Sequence, residues 1–90
     1  MIPMSWPLYN HRARAHLQLG QPEEALQVLD ESLAISGKVP GAAGAWYYKG
    51  LAYRMLQQKD DAIIALEESL RLAESAQARR LLESIASGGN

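Results

Sequence analysis

The chain has 90 residues, of which 48% are hydrophobic and 21% charged, and its net charge is -1. That is the composition of one small globular domain, and its charge balance gives no argument for nucleic acid or an anionic membrane as partner. Cysteine is absent, which excludes disulfide staples, thiolate catalysis and cysteine-ligated zinc.

The opening stretch MIPMSWPLYN has neither a basic start nor a long apolar core, so it does not read as a signal peptide. Met1, Ile2, Met4 and Trp6 form an apolar leader that would cover an exposed edge of the following helices or meet a second copy. A first helix is expected over residues 7–19, closed by Gly20, a good C-terminal residue. The second opens with Pro22 in its first turn, then Glu23 and Glu24, where acids suit the helix dipole. Ala25, Leu26, Leu29 and Leu33 give it an apolar stripe at helical spacing. SGKVPGAAG, residues 36–44, is rich in glycine and carries a proline, so it reads as a connecting loop.

A third helix is expected over residues 44–56, with bulk on nearly every side. After a turn at Gln57 and Gln58, a fourth spans residues 59–72, with Asp60 and Asp61 early. Ala78, Leu81, Leu82 and Ile85 mark a fifth, amphipathic helix that stops at Gly88 and Gly89. A break near Glu74 and Ser75, with Ser75 as cap, separates it from the fourth. No Gly or Pro enforces that break, so one continuous helix is the alternative. No run of about 18 apolar residues exists to span a membrane, and the chain reads as soluble and cytoplasmic.

The chain repeats itself. An offset of 37 residues lays Tyr9 on Trp46 and Ile35 on Leu72. Identities in that register are Ala15/Ala52, Leu19/Leu56, Gln21/Gln58, Ala25/Ala62, Leu29/Leu66, Glu31/Glu68, Ser32/Ser69 and Leu33/Leu70. Tyr9/Trp46, Arg12/Lys49, Ala13/Gly50, Glu23/Asp60 and Glu24/Asp61 are conservative pairs. Similarity this dense, without gaps, signals a repeat architecture of helix hairpins. Ala13 and Gly50 are expected to be small because the second helix of each hairpin crosses there, with Ala25 and Ala62 as the small partners.

The second unit resembles the tetratricopeptide repeat, W-x₂-L-G-x₂-Y…A-x₃-F. Trp46, Gly50, Tyr53 and Ala62 match it, whereas Leu66 replaces its phenylalanine and Lys49 its leucine. In the first unit Tyr9, Arg12, Ala13 and His16 replace the first signature residues, while Ala25 and Leu29 keep the second half. The resemblance implies an all-α fold: a right-handed superhelical stack of antiparallel helix hairpins, five helices in one domain. Repeat one would span residues 7–35, repeat two 44–72 and a capping helix 75–87. It also implies a non-catalytic protein–protein interaction module whose first helices line a concave, peptide-binding groove.

The residues on that face are Asn10, His11, Arg14, Leu17 and Gln18 in unit one, and Tyr47, Tyr48, Leu51, Arg54 and Met55 in unit two. Aromatic area and adaptable methionine suit a binding surface; alternatively, Leu51 and the tyrosines only pack on their neighbours. Charge sorts by helix. The first helices hold Arg12, Arg14, Lys49 and Arg54 and no acid, while the second helices hold eight acids against Lys59 and Arg71. A basic inner surface favours an acidic protein or peptide partner. Arg12 and Lys49 are expected to pair with acids of the facing helix, leaving Arg14 and Arg54 for a ligand. Some family members grip acidic C-termini with a clamp of Lys, Asn and Arg; Asn10, Arg14, Tyr48, Ala78 and Leu82 fit that clamp poorly.

Catalytic, cofactor and metal sites are not indicated. His11 and His16, five apart on a helix, diverge and cannot share a metal as i, i+4 ligands could. His16 takes the repeat's tyrosine slot and reads as a packed residue. The paired acids sit on solvated faces without a convergent nucleophile or phosphate loop, and Arg79 and Arg80 amid many acids make a poor RNA surface. The rival reading is self-assembly: a homo-oligomer, or part of a longer repeat array, since such arrays usually need three or more units.

Overall fold

The computed structural model describes residues 6–36 and 42–88. The apolar leader at residues 1–5 and most of the glycine-rich connection, residues 37–41, lie outside the described residues. Five helices follow in order: α1 (Trp6–Gln18), α2 (Pro22–Ser36), α3 (Ala43–Met55), α4 (Lys59–Leu72) and α5 (Ala76–Ala86). α2 continues through Ser36, and α3 takes up Ala43 and Gly44, so the connection is shorter than the composition of residues 36–44 suggested. The assembly is elongated, 44 × 27 × 17 Å.

α1 with α2 and α3 with α4 form hairpins that match turn for turn. The amide N of Gly20 donates to the Leu17 carbonyl (3.1 Å) and that of Gln21 to the His16 carbonyl (2.8 Å). At the same offset, Gln57 N donates to Arg54 O (2.9 Å) and Gln58 N to Tyr53 O (2.9 Å). These bonds satisfy carbonyls that the helix end leaves open. The reversal needs a left-handed residue. Gly20 supplies it at φ 73°, whereas Gln57 adopts φ 60° despite its side chain, a conformation costing roughly 1–2 kcal/mol for an L-residue.

Two apolar clusters hold the stack. The first joins Ala13, Ala25, Val28, Leu29 and Ala45, so α3 contributes to the core of the preceding hairpin. The second joins Ala62, Leu66, Ala78, Leu81 and Ile85, so α5 covers α4. Gly50 is small for a reason the residues alone did not show. A Cβ there would lie 2.7 Å from Leu66 Cγ, so the side chain crossing it is Leu66, fully buried, rather than Ala62. Leu66 is too bulky to coexist with a methyl at that approach, which explains a residue that otherwise costs about 1 kcal/mol in a helix.

Both hairpins bury a serine at the same register, and each is satisfied. Ser69 Oγ donates to the Ala43 carbonyl (2.9 Å), tying α4 to the start of α3. Ser32 Oγ donates to Asn10 Oδ1 (3.2 Å), tying α2 to α1. A buried hydroxyl without such a partner would be costly. The last two helices are separate: Ala73 and Ser75 are extended, and Ser75 Oγ accepts from Ala78 N (3.3 Å) as an N-cap.

Candidate functional site

α1 and α3 contain no acidic residue. Between them opens a hollow of about 530 Å³. α1 lends Arg14, Leu17 and Gln18 to its wall; α3 lends Tyr47, Tyr48, Leu51, Arg54 and Met55; α5 adds Gln77. Among the described residues no carboxylate lines it. A smaller hollow of about 180 Å³ continues past Tyr47, Tyr48 and Gln77 toward Ala43, Gly44, Ser69 and Ser75.

The two tyrosines form the seam between the apolar clusters. Tyr48 packs against the first and Tyr47, with Leu51, against the second. Their rings stand 5.6 Å apart, tilted by 58°, the inclined arrangement aromatic pairs favour. Both are half-buried, so packing on neighbours and lining the hollow are not exclusive: one edge of each ring anchors while the rest stays reachable. Leu17 behaves alike on α1, packed against the first cluster yet on the wall. Met55 is 43% exposed, an adaptable thioether at the rim.

The cations divide into engaged and unengaged ones. Lys49 Nζ meets Asp30 Oδ1 of α2 at 2.9 Å and lies over the Trp46 ring, 4.9 Å from its centroid. Arg12 differs from expectation. It has no carboxylate partner among the described residues and stands 5.9 Å over the Tyr9 ring instead. The remaining ion pairs join Arg71 to Glu68 and Arg79 to Glu74. The Arg79 guanidinium donates twice to Glu74, at 2.8 Å each, and those hydrogen bonds hold the Glu74 carboxyl below its ordinary range. Arg14 and Arg54 belong to no ion pair among the described residues. Each therefore keeps a planar fork of donors, and no described residue on the wall of the hollow accepts from it.

Two residues assigned to this face by sequence stand elsewhere. Asn10 turns toward α2, where its amide oxygen accepts from Ser32, and its amide nitrogen lies against Gly44 of α3. His11 is exposed and does not line the hollow. Gln77 was missed; only the docking of α5 brings it to the wall, and no periodicity in the sequence announces that. His16 is half-buried, its Nδ1 2.8 Å from Gln21 Oε1 at the hairpin turn. Among the described residues no three His, Asp or Glu side chains converge as metal ligands, and no helix is long and apolar enough to cross a membrane.

The profile of the tetratricopeptide repeat family matches residues 5–75, across α1 to α4. The chain belongs to that family. Tetratricopeptide repeats generally mediate protein–protein interactions and are typically non-catalytic. Comparison with the curated proteins finds no match.

Proposed function

We propose that this tetratricopeptide repeat protein is an adaptor that binds an acidic peptide segment of a protein partner in the hollow between α1 and α3. The observation that carries the reading is the presence of Arg14 and Arg54 on the walls of one hollow with no carboxylate among the described residues to neutralise either. Acidic side chains entering there would gain charge-assisted hydrogen bonds from two guanidinium forks. Apolar side chains would settle on Leu17, Leu51, Met55 and the tyrosine rings.

The test is charge reversal. Arg14→Glu together with Arg54→Glu removes two contacts of about 1.5–3 kcal/mol each, so affinity for an acidic partner should fall by a factor on the order of 100 or more. Circular dichroism should show helicity intact, since neither side chain belongs to the buried core. Unchanged affinity would show that the hollow is not the site.

One observation favours self-association or a longer array as a second reading. Ala15 of α1 and Leu19 just after it are exposed, Leu19 by 71%. Light scattering across a range of concentrations separates an associating species from a monomer.

A further inference from the structure

The 37-residue register sets Arg14 level with Leu51, Leu17 level with Arg54 and Gln18 level with Met55, and all six line the hollow. The helix bounds keep that register: α1 and α3 start at Trp6 and Ala43 and stop at Gln18 and Met55. Basic and apolar side chains thus exchange places between the two walls. Each arginine looks across at a leucine, and the cations occupy one diagonal while the leucines occupy the other.

The diagonal has a scale. Three residues of helix rise about 4.5 Å, and packed helices lie about 8–10 Å apart, so the two arginine positions are roughly 10 Å apart. That is too far for one carboxylate to satisfy both. A helical ligand holds acids at i and i+4 only about 5–6 Å apart and reaches about 10 Å only at i and i+7, across two full turns that a short segment does not hold by itself. An extended chain places residues i, i+2 and i+4 along one edge, over roughly 13 Å, and flexible arginine arms absorb the difference.

Resting on the acidic-peptide reading above, we propose that the hollow selects an extended partner segment of the form acid-x-apolar-x-acid crossing from α1 to α3. The first carboxylate meets Arg14, the central apolar side chain rests on Leu17, Leu51 and Met55, and the second carboxylate meets Arg54. Net negative charge alone would then be a poor predictor of binding. The spacing of the acids about an apolar residue decides it.

The experiment uses two acetylated, amidated peptides of one composition, Gly-Glu-Ser-Leu-Ser-Glu-Gly and Glu-Glu-Ser-Leu-Ser-Gly-Gly, with hexaglutamate as a third probe. Binding to the wild type is compared with binding to Arg14→Gln, which removes one end of the diagonal. Position 14 is exposed, so the change leaves the core intact. The wild type should prefer the first peptide by about tenfold, and the substitution should cut that preference to within about twofold with an unchanged circular dichroism spectrum. Equal binding of the two isomers by the wild type, or a preference that survives the substitution, overturns the pattern. Hexaglutamate binding in that event leaves the acidic hollow standing, whereas failure of all three probes removes both readings.

Discussion

Ala15 is exposed where its counterpart Ala52 is fully buried, and Leu19 is 71% exposed where Leu56 is half-buried. The hairpins share the length of their first helices, their turn hydrogen bonds and their buried serines, yet the same residue types meet different surroundings. α3 packs on α2 and α4, whereas among the described residues α1 packs on α2 and, more lightly, on α3. Exposure here follows position in the stack, not residue identity. The repeated cation shows the consequence. Arg12 and Lys49 each stand over an aromatic ring of their own helix, but among the described residues only Lys49 finds an acid, Asp30 of α2.

The largest test of this comparison is in the cores. Leu29 and Leu66 are both fully buried, so replacing either by alanine should cost about 3 kcal/mol in urea unfolding. The hairpins should part at the crossing residue. Gly50→Ala forces Leu66 to move and should destabilise by about 1 kcal/mol net, overpacking outweighing the gain in helix propensity. In a Leu66→Ala background the added methyl enters vacated space, so the double variant should be more stable than the summed losses by roughly 1 kcal/mol. Strict additivity would mean that Gly50 answers to something other than Leu66.

A smaller contrast sits in the turns. Gln57→Gly should raise stability by roughly 1 kcal/mol by relieving its left-handed backbone, while Gly20→Ala should lower it by a similar amount. Thermal unfolding would register several degrees in opposite directions, about 4–8 °C per kcal/mol for a domain of this size. Equal responses at both turns would contradict the φ 60° geometry of Gln57.

The smallest effect separates Lys49 from Arg12. Lys49→Ala loses a ring contact and an ion pair whose Asp30 side chain is 64% exposed, at most about 1 kcal/mol in all. Arg12→Ala loses only a ring contact and should cost roughly half as much. Coupling between Lys49 and Asp30 in a double-mutant cycle, absent between Arg12 and any acid of α2, would make the asymmetry quantitative.

Much of the architecture was legible because it is written in local chemistry. Gly20 and Ser75 punctuate helix ends through their own backbone and hydroxyl, and the 37-residue offset exposes two copies of one hairpin. On the candidate face, Arg14, Gln18, Tyr47, Tyr48, Leu51, Arg54 and Met55 share a hollow because helical periodicity alone puts them on one side of α1 and α3. Periodicity fails within about a quarter turn at the edge of that face. Asn10 lies close enough to α2 for Ser32 to capture it, and His11 misses the hollow altogether.

The pattern of residues by itself determined that the chain is helical, that it repeats, and that its first helices carry cations while its second helices carry acids. Those properties depend on neighbours a few positions apart, which a linear string preserves. Tertiary structure alone decided that Leu66 excludes a methyl from Gly50, that Gln77 joins the hollow, and that Arg12, expected to pair as Lys49 does, meets the Tyr9 ring instead. Each of those depends on how far one helix slides and turns against another. That degree of freedom is set by summed packing over many side chains, and no local signal encodes it.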